Sequence, residues 1–264
     1  MHEIVLVKLG GSLITDKARP ETARTEVIAR LADEIARGAS GRAFRLVLGH
    51  GSGSYGHAAA QRFDLGSGAL SSEQLPGISF TQERATALHR LVVGALEVAG
   101  ALPFSIAPSS CVVAAAGQPV DFADEPLLLA LKRGLLPVLY GDVVMDRAWG
   151  ASICSTERLF DLVVRRLLDR GWKISRVLWL GETDGLYDAA GRTVPSLTEM
   201  DFEDAVRAIG APAGADITGG MRHRVETALA LARLGVPSVL ANGLRPGLLE
   251  AALRGEEVGG TVIG

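Results

Sequence analysis

Paired glycines that stand between lysines are the residues of this 264-residue chain whose types and spacing could bind phosphate. The segment KLGGSLITDK follows an apolar run and places Gly10 and Gly11 between Lys8 and Lys17. Glycines allow backbone N–H groups to approach an anion, and two lysines would neutralise a transferred phosphoryl group. The spacing predicts a phosphate site, although a tight turn with two surface lysines has the same pattern. The G-x-x-x-x-G-K-[ST] motif of P-loop proteins is absent from the segment.

A second glycine-rich segment, GHGSGSYGH, follows the apolar run FRLVL and occupies residues 49–57. Its glycines fit the G-x-G-x-x-G fingerprint of NAD-dependent oxidoreductases. That fingerprint needs an acidic residue about 20 positions further on, and Glu73 stands there in a loop-like segment. His57 favours the other interpretation, in which an imidazole donates to a phosphate oxygen. A histidine that only caps or packs at a helix start fits equally well.

Four further segments have both a structural and a functional interpretation. Residues 216–226, DITGGMRHRVE, are either a basic helix start that binds polyphosphate or a solvated basic face. Residues 181–188, GETDGLYD, are a turn or a loop around a nucleotide. Residues 141–142 are a turn or a phosphate contact. Glu157 is either a carboxylate that favours a helix N-terminus or one that orients the lysines.

Strand and helix patterns alternate along the chain and predict an α/β fold with a mostly parallel sheet covered on both faces. The glycine loops fall at the carboxyl ends of strands, where open α/β sheets bind ligands. Predicted strands are IVLVKL, FRLVLG, LPFSIA, LLPVLYGDVVM, ISRVLWL, VPSVLA and GGTVIG, with DRAWG as a hairpin turn. Predicted helices include residues 80–99, 156–169 and 221–234.

Composition excludes several classes of function. The net charge of −3 is nearly balanced, so no basic stripe for nucleic acid is expected. Cys111 and Cys154 have neither metal-ligand nor disulfide spacing, which favours a reduced, cytoplasmic setting. The first strand begins at once, so no signal peptide is expected. Lys132, Arg133 and Pro137 interrupt the longest apolar run, which excludes a membrane span there.

The order of the motifs resembles the amino acid kinase superfamily over residues 4 to about 262. KLGGSLITDK, HGSGSYGH, PSS at 108–110 and DITGGM are most similar to the isopentenyl phosphate kinase family, and fosfomycin kinases have a similar second loop. The resemblance implies one domain, 1–264, with a three-layer αβα sandwich, an acceptor lobe to about 170 and a nucleotide lobe beyond. It also implies a homodimer that uses ATP and Mg²⁺. From the composition, no nucleic-acid or membrane partner is expected.

The implied reaction is ATP-dependent phosphorylation of isopentenyl phosphate to the diphosphate, for isoprenoid precursor synthesis, with dimethylallyl phosphate as a second substrate. The implied catalytic residues are Lys8, Lys17, His57 and Glu157. The implied substrate-binding residues are Gly51, Ser52, Gly53, His57, Gly141 and Ser155. The implied ATP-binding residues are Lys8, Gly10, Gly11, Ser12, Thr183, Asp184, Gly219, Gly220, Met221 and Arg224. Phe80 and Leu88 would wall a prenyl pocket. ATP oxygens and water would hold the Mg²⁺, with no protein ligand.

Physical chemistry agrees with this interpretation. A phosphate monoester is largely dianionic at neutral pH, so as an acceptor it needs positive charge rather than a general base. Three positions depart from the family pattern: Glu157 replaces Asp, Arg224 replaces Lys, and GETDG replaces TDVDG. The alternatives are a fosfomycin-type phosphonate kinase or another small phosphate-acceptor kinase, an NAD-dependent oxidoreductase, and a non-catalytic nucleotide- or oxyanion-binding protein on the same fold.

Overall fold

An eight-stranded sheet forms the centre of the computed structural model, which describes residues 3–65, 68, 71–188, 190–198 and 219–264. In chain order its strands are β1 (Ile4–Leu9), β2 (Arg45–His50), β3 (Pro103–Ser105), β6 (Leu136–Tyr140), β9 (Ile174–Gly181), β10 (Ser196–Leu197), β11 (Ser238–Asn242) and β12 (Thr261–Ile263). Their spatial order is β10-β12-β11-β9-β1-β2-β6-β3. Among the strand pairs of this sheet that the described residues form, only β11–β12 is antiparallel, so the prediction of a mostly parallel sheet is confirmed.

Helices cover both faces of this sheet. They are α1 (Gly11–Ile14), α2 (Thr25–Ala39), α3 (Gly53–Arg62), α4 (Leu75–Val98), α5 (Pro108–Cys111), α6 (Glu125–Arg133), α7 (Thr156–Asp169), α8 (Gly219–Ala232) and α9 (Leu248–Arg254). The predicted helix at 80–99 therefore begins earlier, at Leu75, and a short 3₁₀ turn at Ser72–Gln74 precedes it. Within the described residues, no helix has the length and apolar composition needed to cross a membrane.

The core consists of two apolar clusters, one on each side of the sheet. Ile4 and Leu6 of β1 belong to the cluster that contains α7 and α8, whereas Val5, Val7 and Leu9 belong to the cluster with α2, α4 and α9. Successive strand side chains point to opposite faces, so β1 is buried throughout. The result is the predicted three-layer αβα sandwich.

A second, four-stranded sheet differs from the prediction. The segment LLPVLYGDVVM was expected to be one strand, but it divides at Gly141 into β6 and β7 (Asp142–Asp146), which belong to different sheets. The other strands of the small sheet are β4 (Val112–Ala115), β5 (Gln118–Phe122) and β8 (Gly150–Cys154). The predicted DRAWG hairpin joins β7 to β8. A continuous apolar run cannot reveal that the chain turns from one sheet into another.

The large sheet brings separate motifs to one edge. β1 pairs in parallel with β2 on one side and with β9 on the other, and β2 pairs in parallel with β6. The loops after these four strands therefore converge, although they are far apart in sequence. Strands from before and after residue 170, the predicted boundary between the lobes, belong to the same sheet. The division into an acceptor and a nucleotide lobe stays a prediction.

Gly49 in β2 sets the distance between the sheet and α7. A Cβ at this position would lie 2.4 Å from Cε1 of Phe160 and 2.8 Å from Cγ2 of Thr156. Because Phe160 is fully buried, we expect Gly49→Ala to lower the free energy of unfolding by about 1–3 kcal/mol through overpacking. Urea denaturation measures this loss. Combining Gly49→Ala with Phe160→Leu should cost less than the sum of the two single changes, and strict additivity would contradict this account.

Candidate active site

A cleft of about 730 Å³ lies where the loops after β1, β2, β6 and β9 converge. Most of the site residues predicted from the sequence line it: Lys8, Gly11, Ser12, Lys17, Gly51, Ser52, Gly53, His57, Gly141, Ser155, Glu157, Thr183, Gly220, Met221 and Arg224. Gly10, Asp184 and Gly219 do not. Gly10 lies behind the cleft, where its N–H donates to the Leu180 carbonyl at 2.8 Å. Gly219 is the first residue of α8.

The two glycine loops contact each other, and this contact requires glycine. A Cβ on Gly11 would lie 2.7 Å from the Gly53 nitrogen, and a Cβ on Gly51 would lie 2.7 Å from the Gly11 nitrogen. Gly53 also has a φ of +50°, a conformation that side chains disfavour. The loops can therefore approach closely only because neither carries side chains at these positions.

Free backbone donors line this junction. Among the described residues, the N–H groups of Gly11, Ser12, Ser52 and Gly53 have no hydrogen-bond acceptor. Gly11 and Ser12 begin α1, while Ser52 and Gly53 lie at the start of α3. N–H groups at helix starts and in glycine-rich turns bind anions. Each loop thus offers two donors to a phosphate.

Thr15 ties the two loops together, and the sequence analysis missed it. Its hydroxyl donates to the Gly11 carbonyl at 2.8 Å and accepts from the Ser54 N–H at 3.0 Å. The side chain is fully buried. A lone threonine carries no recognisable sequence signal, because its role depends on a contact with residues 39 positions away.

A buried ion pair lies at the centre of the cleft. Lys8 Nζ lies 2.6 Å from Glu157 Oε1, and both side chains are largely buried. Burial lowers the pKa of Lys8, and the charge of Glu157 opposes that shift. Burial by itself would raise the pKa of Glu157, but Lys8 and Arg224 outweigh burial and lower it. Glu157 is therefore held as a carboxylate, and its charge favours the ammonium form of Lys8 against the effect of burial.

Arg224 adds a second buried positive charge beside this pair. Its guanidinium lies against the glycine backbone, because a Cβ on Gly181 would be 2.7 Å from one terminal nitrogen and a Cβ on Gly10 would be 3.6 Å from the other. The Arg224 Nε has no partner among the described residues. Burial lowers the pKa of Arg224, which Glu157 partly opposes. Arg224 also lines the cleft, so its guanidinium charge can attract an anion there.

His57 stands at the border between the cleft and a smaller cavity of about 290 Å³. Its Nδ1 lies 3.0 Å from the Gly53 carbonyl. A carbonyl only accepts, so Nδ1 donates and Nε2 remains for a ligand. In the imidazolium form, Nε2 would donate to a phosphate oxygen.

The smaller cavity extends between α3, α4 and the small sheet. Neither Phe80 nor Leu88 lines it, so that expectation is wrong: Leu88 is fully buried in the core, and Phe80 contacts Phe63. Thr81 and Ala85 are the α4 residues that face the cavity. The amphipathic pattern located the helix but not the face that turns toward the cavity. Asp142 also lines it, and burial raises the pKa of this carboxyl to about 6.

Lys17 and Ser155 occupy the two rims of the cleft. Lys17 is exposed in a turn that an isolated bridge between Thr15 and Ala23 closes. Ser155 caps α7, and its hydroxyl accepts from the Arg158 N–H at 3.3 Å. Gly141 donates its N–H to the His50 carbonyl at 2.9 Å, which holds the β6–β7 junction against the second glycine loop.

The end of the cleft near β9 is fixed by polar contacts. Asp184 accepts from Asn242 at 2.9 Å and from Arg245 at 2.7 Å. Neither partner was predicted, because Asn242 ends β11 and Arg245 follows it, whereas Asp184 follows β9. Glu182, which lines the cleft, pairs with Arg24 at 2.7 Å. Residues 216–218 of the DITGGM motif lie outside the described residues.

Metal ligands are scarce in this arrangement. Within the described ranges, no three His, Cys, Asp or Glu side chains cluster as a dedicated metal site requires. The carboxylates of Glu157 and Glu182, which line the cleft, are each paired with a cation.

Comparison with known proteins decides the family. A model of the amino acid kinase family matches residues 3–242. The chain belongs to the amino acid kinase family. It is 34% identical to isopentenyl phosphate kinase of Methanothermobacter thermautotrophicus over 98% of both chains. It is also 34% identical to isopentenyl phosphate kinase of Haloferax volcanii over 99% of both.

Solved structures agree with this assignment. An X-ray structure of isopentenyl phosphate kinase superposes on the chain with a TM-score of 0.83 at 30% identity, and the match covers 99% of this chain and 100% of the other. The α/β sandwich and the family predicted from the glycine motifs are thereby confirmed. The roles of individual residues stay predictions.

Loss of the carboxylate at Glu157 should impair the enzyme in a pH-dependent way. We expect Glu157→Gln to lower kcat about 100-fold at neutral pH, the usual scale for one electrostatic contact. Glu157 opposes the lowering of the Lys8 pKa, so without its charge that pKa falls further and more of the lysine is neutral. Activity relative to the wild type should therefore recover as the pH falls, which a pH–rate profile measures.

Glu157→Asp is the matched control, because it retains the charge and removes one methylene. Its profile should follow that of the wild type. A constant ratio of Glu157→Gln to wild-type activity at every pH would contradict the proposed coupling.

Proposed function

We propose that the chain is an ATP-dependent kinase that phosphorylates isopentenyl phosphate to isopentenyl diphosphate, with dimethylallyl phosphate as a second acceptor. The observation that carries the proposal is the position of His57, between the phosphate-binding junction of the glycine loops and the smaller cavity. An acceptor with a phosphate at His57 places its carbon chain in that cavity. The named relatives act on this substrate.

The donor would occupy the opposite side of the glycine junction. The γ-phosphate would contact the N–H groups of Gly11 and Ser12 together with Lys8, while Thr183, Gly220 and Met221 frame the rest of ATP. Arg224 and the exposed Lys17 add positive charge. Two anions repel each other, and these groups would offset the repulsion by fixed charge and dipoles.

Transfer would be direct and in line. The acceptor oxygen is already anionic, so no side chain has to remove a proton. Ser52 and Gly53 would hold the acceptor phosphate through their N–H groups, with His57, Gly51, Gly141 and Ser155 around it. Mg²⁺, bound by ATP oxygens and water, would neutralise charge that develops on the transferred group.

The oxidoreductase alternative loses its support. An NAD-binding fingerprint would need an acidic residue at a strand end to hold the ribose. Glu73, the residue at the required spacing, lies on the exposed 3₁₀ turn before α4. The glycines of the second loop instead contact the first glycine loop.

A panel of acceptors tests the substrate. ADP release with MgATP should be rapid with isopentenyl phosphate and dimethylallyl phosphate and should stay at background with fosfomycin, UMP, N-acetylglutamate or no acceptor. Turnover with fosfomycin alone would mean that the acceptor is a phosphonate and not a prenyl phosphate, and it would leave the fold assignment unchanged. ATP binding without turnover on any acceptor would favour the non-catalytic alternative.

The same assay tests His57. His57→Ala should lower kcat/KM for isopentenyl phosphate about 100-fold, because one charge-assisted phosphate contact is lost, and should leave the KM for ATP unchanged. The melting temperature controls for unfolding. Wild-type acceptor constants in this variant would refute the phosphate-binding role.

We propose further that the chain forms a homodimer in the cytoplasm. β3 is an edge strand of the large sheet. Apolar side chains are exposed on the neighbouring α4 (Leu91 and Val98, 41 and 91%), between α4 and β3 (Leu102, 64%) and on β3 itself (Phe104, 37%). Exposed apolar side chains at an unpaired strand edge are typical of an interface between copies of a chain.

Sedimentation tests the dimer. The wild type should sediment as two chains, and Val98→Glu combined with Leu102→Glu should sediment as one, because the charges would be buried in the interface. Met145→Glu, at an exposed apolar residue of the small sheet, is the control and should stay dimeric. A monomeric wild type would contradict the proposal.

A further inference from the structure

A chain of hydrogen bonds through two buried histidines runs behind the acceptor loop and takes no part in the chemistry described above. Ser105 Oγ lies 2.5 Å from His89 Nε2, and His89 Nδ1 lies 3.0 Å from His50 Nε2. His50 Nδ1 lies 3.1 Å from the carbonyl of Gly51. Both imidazoles are almost fully buried. The chain thus connects the end of β3 to the loop that lines the cleft.

The chemistry of these groups fixes the direction of every bond. The Gly51 carbonyl can only accept, so His50 Nδ1 carries a proton and donates it. If His50 is neutral, its Nε2 is an acceptor, and His89 Nδ1 must donate to it. His89 Nε2 is then an acceptor in turn, and the Ser105 hydroxyl donates to it. One proton arrangement satisfies all three bonds when both rings are neutral.

The surroundings favour the neutral rings. Burial lowers the pKa of His50 to about 4, with the nearby charge of Lys8 acting in the same direction. Burial likewise lowers the pKa of His89 to about 3. The Tyr140 ring stacks on His89 with the ring centroids 4.2 Å apart, which fixes the plane of the imidazole. A protonated His50 would direct two N–H groups at each other across the contact with His89.

The last bond of the chain bears on the cleft through the geometry of one peptide group. In a trans peptide the C=O and the following N–H point in opposite directions. Because His50 holds the Gly51 carbonyl inward, the N–H of Ser52 points outward. Ser52 lines both the cleft and the smaller cavity, and its N–H has no acceptor among the residues described.

We propose that His89 is a positioning residue for the acceptor phosphate: it fixes His50 in the Nδ1–H tautomer, which orients the Gly51–Ser52 peptide so that the Ser52 N–H meets the phosphate. The inference rests on the proposed function, because it assigns the phosphate at Ser52 to the acceptor. It predicts that a substitution of His89, which reaches the loop only through His50, changes the KM for the acceptor and not the KM for ATP.

Two nearly isosteric substitutions test this role. Asn places an N–H donor close to the position of His89 Nδ1, whereas Leu has a similar shape and no donor. Both remove the ring that stacks on Tyr140, so they share the packing loss. His89→Leu should raise the KM for isopentenyl phosphate about tenfold, the effect of one weakened hydrogen bond to a charged group, with the KM for ATP unchanged. His89→Asn should stay close to the wild type.

The tautomers provide a readout that does not require catalysis. In ¹⁵N-histidine spectra of the wild type, Nε2 of both His50 and His89 should be unprotonated. An Nε2–H tautomer at His50 would overturn the proposal even if His89→Leu did not fold. Equal acceptor KM values for the Asn and Leu variants would also overturn it. So would a His89→Leu variant in which the KM values for isopentenyl phosphate and for ATP rise by the same factor. Absence of wild-type turnover on isopentenyl phosphate would refute the proposed function instead. The spectra would still show whether the hydrogen bonds between Ser105, His89 and His50 run in the proposed direction.

Discussion

The ion pair between Lys8 and Glu157 is the interaction on which the site depends. Removing two charges from water is costly, and an attraction at 2.6 Å offsets that cost only if both partners are held in place. Lys8 is fixed by the central strand β1, and Glu157 by the first turn of α7. A buried pair of this kind is weak evidence of stability, but the charge of Glu157 favours the ammonium form of Lys8 at a point where a phosphoryl group can meet it.

The glycine loops are the second constraint, and they complement the first. Their mutual contact leaves no room for side chains, so backbone N–H groups face the cleft from both loops. Thr15 holds the loops to each other, and the His50–His89 chain orients the acceptor loop from behind. Fixed donors and fixed charges can stabilise a transferring phosphoryl group without rearrangement during the reaction. The site thus consists mainly of backbone, supported by a few buried polar side chains.

Sequence reasoning succeeded where the signal is local. Apolar runs ended by glycine located β1, β2 and β9, and the glycine loops fell at strand ends as expected. It failed where the deciding contact is distant in sequence. Thr15, Asn242 and His89 act through partners far along the chain, and a single sequence does not contain those pairings. The prenyl-pocket expectation at Phe80 and Leu88 failed because the apolar periodicity of α4 marks its core face, whereas the cavity meets Thr81 and Ala85.

The stereochemical course at phosphorus tests the central claim most directly. In the proposed reaction an oxygen of the acceptor phosphate attacks the γ-phosphorus of ATP in line, and His57 contacts the acceptor without acting as a nucleophile. With isopentenyl phosphate and ATP made chiral at the γ-phosphorus by oxygen isotopes and sulfur, a single direct transfer predicts inversion of configuration. Retention would mean two successive transfers through a phosphorylated side chain, and it would contradict the account.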